Sequence, residues 1–316
     1  MTMPEMHARY FNQLVYDEGE RSVTKRSTDE RKLTDEICWY LDLPSRCKSL
    51  IPAIYDYSLE PGNVFVTMEY IPWPTLTDSY LTVEGSSQLL EWEKVFEDLR
   101  EVVRQFTAYS REPDITSYET MYMTKTHQRL GQFIRSSEWA SAMLERGFQE
   151  INGRRLPCPS LVLERERAAI DRLLYEGRFQ IIHGDYCFPN ILYDHDSRSI
   201  KLIDPRGSFG APGLFGDVRY DLAKIRHSLS GFDNIVRDRF TVSLSGQSIA
   251  LSLADNLAQR ALRQMWDRCL DKRLAEVRLI ESLLFLSMLP LHSDRPDRQM
   301  AMYALGTLLL CSCLYD

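Results

Sequence analysis

His183-Gly-Asp-Tyr-Cys-Phe-Pro-Asn190, followed by Ile203-Asp204, is the stretch that decides how this chain is read. Phe179–Ile182, Ile191–Asp194 and Ile200–Ile203 are short apolar runs, and His195–Ser199 between the last two is turn-like. Folding the last two runs into an antiparallel hairpin centred on residue 197 sets Asp194 opposite Ile200, Leu192 opposite Leu202, and Asn190 opposite Asp204. Directly opposed residues point to the same side, with Cβ atoms roughly 5 Å apart. The pattern therefore predicts that Asn190 and Asp204 converge as oxygen ligands of one hard cation, Mg²⁺. Asp185 lies in the loop entering the hairpin and is the candidate to accept or orient the proton of a substrate hydroxyl. Such a set suits phosphoryl transfer from a nucleotide. His183 is read as a loop-holding histidine and not as the base.

Working outward, the first 75 residues read as β-rich with one helix. Tyr10–Tyr16 and Arg21–Lys25 form strands around Asp17–Glu20, with Val23 and Lys25 on one face. Ser27-Thr-Asp-Glu30 reads as a capping box opening a helix to about Leu41. Leu33, Ile37, Tyr40 and Leu41 make its apolar stripe, with Glu36 beside it. Tyr55–Leu59 and Val64–Glu69 form a second hairpin, and Pro72 and Pro74 mark a linker. Beyond residue 86 the pattern is mostly helical: Glu93–Tyr109, 126–148, 159–177, Asp221–Ser230, and two or three helices over 249–314. The expected architecture is α+β: a small lobe over 1–75, a larger mainly helical lobe over 76–316, and a cleft between them holding the 183–204 hairpin.

Bulk properties bound the function. The chain has 316 residues, 44% apolar and 26% charged, ordinary globular composition. A net charge of −7 argues against a nucleic-acid partner. No apolar run reaches spanning length and no apolar signal segment opens the sequence. Seven scattered cysteines without a CxxC fit a reduced, cytoplasmic setting.

His183-Gly-Asp185…Asn190, Ile203-Asp204 and Gly216-Asp217-Val-Arg-Tyr-Asp221-Leu-Ala223 resemble the signature series of the aminoglycoside phosphotransferase/choline kinase family. The resemblance spans about residues 10–290 and is strongest over 180–225. It implies a protein-kinase-like two-lobed fold and a kinase using ATP, with GTP also open, and Mg²⁺. It makes Asp185 the catalytic residue and Asn190 and Asp204 the Mg²⁺ ligands. Lys25 would contact the α/β-phosphates, with Lys32 as its competitor. Glu36 would pair with Lys25, although Glu20 and Glu30 are nearby. The backbone of Glu69-Tyr70-Ile71 would meet adenine, and Asp217 would brace the catalytic loop by accepting backbone N–H bonds.

One departure from the family pattern stands out. Kinases cover the phosphates with a Gly-rich turn ahead of the lysine strand, yet none of the first 17 residues is Gly. The cover is then a non-Gly loop near residues 4–9, or it is missing. A missing cover supports an alternative reading as a pseudokinase or nucleotide-binding scaffold.

On the acceptor side, Pro205–Gly216 holds four glycines and two prolines and is read as a shaped loop. Its Arg206 either holds a phosphate, on the donor or on an anionic acceptor, or bridges to Asp217 or Asp221. From residue 246 onward eight Lys/Arg balance eight Asp/Glu, so the acidic wall wanted by a polycationic aminoglycoside is not evident. The Ile-Asp-Pro-Arg-Gly-Ser segment is also similar to kinases linked to bacterial capsule and surface-polysaccharide synthesis. The expected partners are a nucleotide and a small-molecule hydroxyl acceptor: a sugar, polyol or amino alcohol.

Overall fold

The computed structural model describes residues 12–316 except Glu176. The segment 4–9, invoked above as a phosphate cover, and Tyr10, where the first strand was expected to start, lie outside the described residues.

Four strands open the chain: β1 (Asn12–Asp17), β2 (Ser22–Ser27), β3 (Ile54–Ser58) and β4 (Phe65–Glu69). They form one antiparallel sheet in the order β1-β2-β4-β3, with Lys25 of β2 opposite Leu14 and Val66. Helix α1 (Glu30–Asp42) crosses between β2 and β3 and buries Leu33, Ile37, Trp39 and Tyr40, while Leu41 is only half-buried. Its cap differs from expectation. The Asp29 side chain accepts from the Lys32 amide, and Ser27 instead bonds the Asp29 amide. A Ser27 cap would start the helix two residues early, at Thr28, while Ser27 is still the last residue of the strand that carries Lys25.

After the Tyr70–Pro74 linker come the helices Leu76–Leu81 and Leu89–Thr107, the second burying Val95, Phe96, Leu99, Val102 and Phe106. The expected helix 126–148 is two, Lys125–Ser136 and Glu138–Arg146, parted where Ser137 turns extended. Likewise 159–177 divides into Pro159–Arg165 and Arg167–Leu174. The expected Asp221–Ser230 helix begins three residues earlier and covers Val218–His227. Leu257–Leu270, Leu274–Ser287 and Pro296–Tyr315 complete the helical part, and ten residues of Leu274–Ser287 are buried.

Residues 249–253 are not helical. Phe240–Ser245 and Ser248–Leu253 form a hairpin that joins Phe148–Ile151 and Arg154–Pro157 in a second four-stranded sheet. Phe240, Val242 and Leu244 alternate with Thr241, Ser243 and Ser245, a period-2 signal that suits a half-buried strand. Gly246 makes the turn at φ +59°. Among the described residues no helix is long and apolar enough to cross a membrane.

Candidate active site

The 183–204 segment folds as a strand, a loop and a hairpin. Phe179–Ile181 leads into the loop, a short turn covers Phe188–Asn190, and Ile191–Asp194 pairs with Ser199–Leu202. The register differs by one from that expected. Asp194 opposes Ser199 and Leu192 opposes Lys201, so Ile203, not Asp204, stands across from Asn190 and donates its amide to the Asn190 carbonyl at 3.1 Å. The cause is the turn. Four residues close it, with Arg198 at φ +54° and the Asp194 carboxylate accepting from the Asp196 amide and the Ser197 hydroxyl. Asp204 has already left the ladder at φ +56°, its amide bonded to the Tyr40 hydroxyl at 3.0 Å. The two metal-ligand candidates therefore do not meet as a cross-strand pair.

Lys25 is brought to both of its expected neighbours. Its Nζ lies 2.9 and 2.7 Å from the two Glu36 carboxylate oxygens and 2.8 Å from Asp204 Oδ1. Lys25 and Glu36 side chains are only 6% and 8% exposed, whereas Asp204 is 48% exposed, so the ion pair is buried and Asp204 opens outward. Burial alone would lower the Lys25 pKa, but Asp204 and Glu36 outweigh it and raise it. Glu36 is pushed up to about 7 by burial, against the pull of Lys25. Lys32, the competing lysine, pairs instead with Asp29 at the surface.

Asp185 sits at the mouth of the loop, 22% exposed, with Lys224 Nζ 2.8 Å from its Oδ1. Asn190 Nδ2 donates to the Asp185 carbonyl at 2.9 Å, which ties it to the 183–190 loop. His183 is fully buried, edge-on to Trp39, and its Nδ1 accepts from the Asp185 amide at 3.3 Å. Burial lowers its pKa to about 4, so it is neutral at pH 7, as a loop-holding residue should be.

The loop brace was expected at Asp217, but Asp221 provides it. Its two carboxylate oxygens accept the amides of His183 at 2.7 Å and Gly184 at 2.8 Å. Asp217 is the N-cap of the Val218–His227 helix, bonded to the Arg219 amide and guanidinium and to the Tyr122 hydroxyl. One helical turn carries Asp221 from the cap to the loop. All ten residues of this helix are buried despite its charges. Arg226, for example, pairs with Asp267 and Glu281. Arg206 bridges neither Asp217 nor Asp221. Its Nε donates to the Gly184 carbonyl at 3.0 Å, and its guanidinium stands 5.5 Å from the Tyr220 ring centre.

In the Glu69-Tyr70-Ile71 segment, the Glu69 amide bonds Ala53 and the Tyr70 amide bonds Arg21, both at 2.8 Å. The Ile71 amide makes no hydrogen bond to any described residue, so of the three it is the donor left for a ligand. A separate hollow of about 440 Å³ lies beside Leu41, Ile51, Ala53 and Lys201 and shares only Glu69 with the 69–71 segment.

Lys224, Lys125, Tyr220 and Tyr40 were not named as site residues from the sequence. Lys224 follows Asp221 by three positions, so the helical period aligns both toward the loop, and that spacing was a usable signal.

Solved structures share this architecture. A thermostable mutant of the aminoglycoside phosphotransferase APH(4)-Ia aligns with TM-score 0.60 at 13% identity over 98% of this chain and 94% of its own. The chain has the two-lobed, kinase-like fold of the aminoglycoside phosphotransferases. Choline kinase LicA from Streptococcus pneumoniae aligns at 0.54 and 12% identity, over 96% of this chain and 90% of its own. The ADP-bound aminoglycoside phosphotransferase APH(2'')-Ib aligns at 0.51 and 14%, over 94% and 91%. No protein-family model and no curated protein matches the chain.

Proposed function

We propose that this protein is an ATP- and Mg²⁺-dependent phosphotransferase that moves the γ-phosphoryl group to a hydroxyl of a small molecule. The observation that carries this reading is the buried Lys25–Glu36 pair reaching Asp204 while Asp185 stands nearby on the braced loop. The fold supports it, since solved neighbours include complexes with ADP and with AMP-PNP. In this reading residues 1–75 hold the nucleotide and residues 76–316 carry catalysis and the acceptor. The Ile71 backbone meets the base and Lys25 meets the α/β-phosphates.

Asn190 and Asp204 fit Mg²⁺. Both offer oxygen, and the Asn190 amide nitrogen is committed to the Asp185 carbonyl, which leaves Oδ1 as its ligand atom. Among the described residues no group of three or more His, Cys, Asp or Glu is arranged for a metal. Two protein ligands with phosphate oxygens and water are what Mg²⁺ accepts. When bound, it neutralises developing charge on the phosphates.

In the transfer, the acceptor oxygen forms a bond to the γ-phosphorus as the bond from that phosphorus to the β–γ bridging oxygen breaks. The hydroxyl proton passes to the Asp185 carboxylate, which Lys224 holds in place. Asp221 is a positioning residue, since it fixes the 183–184 backbone and touches no reactant.

Turnover of Mg-ATP with a panel of sugars, polyols and amino alcohols tests the reading. Asp185→Asn should lower it by about 10²–10⁴-fold with the fold intact. Equal turnover in both proteins would remove Asp185 from the role. Absence of any nucleotide binding would favour the pseudokinase alternative, which rests on the lack of glycine among the first 17 residues.

A further inference from the structure

Lys125, Arg206 and Lys224 meet around one tyrosine. Lys125 Nζ is 3.4 Å from the Tyr220 hydroxyl and 5.3 Å from the ring centre. Arg206 approaches the same ring at 5.5 Å, and Lys224 holds Asp185 at 2.8 Å. The acidic groups facing this cluster are already engaged. Asp185 takes Lys224, and Asp221 takes two backbone amides. Among the described residues neither Lys125 nor Arg206 makes a salt bridge to a carboxylate. Both are half-buried, whereas the fully buried cations Lys25, Arg219, Lys224 and Arg226 are each paired with a carboxylate.

The local field is strong enough to be read in the tyrosine itself. Burial pushes the Tyr220 hydroxyl up, yet Arg206, Lys125 and Lys224 outweigh it and bring it down to about 8. Burial likewise lowers Lys125 to about 8, the signature of a desolvated ammonium lacking a counterion.

We propose that the acceptor is anionic: a small hydroxyl compound bearing a phosphate or carboxylate, which Lys125 and Arg206 grip beside Tyr220 while its hydroxyl meets Asp185. The proposal rests on the phosphotransferase reading for the role of Asp185. The donor side already has its own cation in Lys25, so the Tyr220 cluster is additional to it. A guanidinium and an ammonium together suit an anion, the first as a planar two-donor fork and the second as a point charge. A polycationic or quaternary-ammonium acceptor would face like charge here.

The test uses the full chain with Mg-AMP-PNP for calorimetric binding and Mg-ATP for turnover. Acceptors are offered as matched sets: glycerol and glycerol 3-phosphate; glucose, glucuronate and glucosamine; choline. The anionic members should bind or turn over with at least ~10-fold lower Kd or KM than their neutral or cationic counterparts. Lys125→Gln should remove that preference, Lys125→Arg should restore it, and nucleotide Kd should change less than ~2-fold in both. Neutral or cationic acceptors performing equally well would overturn the inference while leaving the kinase reading intact. A Lys125→Gln effect on nucleotide alone would overturn it too, by assigning the cluster to the transferred phosphoryl group. If Mg-nucleotide does not bind at all, the kinase reading fails separately. Lys125-dependent binding of glycerol 3-phosphate over glycerol then still decides whether the anion site exists.

Discussion

Lys25 reaches Glu36 across 11 positions of chain and Asp204 across 179, and both bonds are shorter than 3 Å. Asp204 was named from the hairpin, and Lys25 and Glu36 through the family resemblance, which could be placed because each sits on a strand or helix with its own local pattern. Lys125 and Lys224 had no such help, since a lysine on a helix becomes a site only when tertiary packing buries it. His183 offers a test at this scale. Its folded pKa of about 4 lies below the unfolded value of 6.5, so in that interval the unfolded state binds the extra proton. Stability from this residue is intact above pH 6.5 and is lost as pH falls toward 4. Between pH 7.5 and 5 the loss is about 2 kcal/mol. Buried carboxylates such as Asp221, raised to about 7 by burial, act in the opposite sense, so the total profile does not isolate the histidine. The difference between wild type and His183→Gln does. Urea unfolding at the two pH values should show wild type losing about 2 kcal/mol more than the variant.

The loop after Asp204 and helix α1 touch at Gly207. A Cβ there would lie 2.0 Å from the Asp35 carbonyl oxygen and 2.9 Å from the Glu36 amide, at φ +64°. Gly207→Ala must therefore push α1 away, and α1 carries Glu36. The expected result is a loss of about 1–3 kcal/mol in stability and a rise in nucleotide KM of at least ~10-fold, with acceptor KM little changed. Gly62→Ala is the control. Its φ is +83°, nothing lies within 4 Å, and it should lose about 1 kcal/mol without altering nucleotide binding. An unchanged nucleotide KM in Gly207→Ala would separate the two elements functionally. At this scale the sequence was legible where apolar periodicity was unambiguous, as in α1 and Leu89–Thr107. Beyond the helix ends and breaks already described, it misled at two hairpins. The 191–202 hairpin slipped by one because strand pairing was centred on a five-residue turn, while Asp194 bonding its own turn shortens it to four. The Phe240–Leu253 hairpin was taken partly as helix although its alternation was visible, because the flanking sequence is helical on both sides.

Across the whole molecule, contacts between the small and large lobes run through α1 and the linker and not only through the site. Trp39 Nε1 donates to the Ile182 carbonyl at 2.8 Å, Lys201 Nζ to the Ile51 carbonyl at 2.8 Å, and the Tyr193 amide to the Pro74 carbonyl at 3.0 Å. None of these pairings was readable from the sequence, since each joins a side chain or amide to a carbonyl fixed only by the fold. The Trp39 bond lies at the root of the 183–185 loop, so helix α1, which carries Glu36, and the loop that carries Asp185 share one buried junction. The chain should therefore unfold in a single transition, with calorimetric and van't Hoff enthalpies equal. In the phosphotransferase reading, Mg-ATP at 100 times its Kd would stabilise the folded state by about 2.7 kcal/mol and should raise the whole transition by about 4 °C, without splitting it. Trp39→Phe removes the indole donor and leaves the Ile182 carbonyl buried and unpaired, a loss of about 1–3 kcal/mol. It should lower the one melting temperature and weaken the response to nucleotide. Two separate transitions in wild type, only one of them responding to Mg-ATP, would show instead that the lobes are energetically independent and that the Trp39 junction does not couple them.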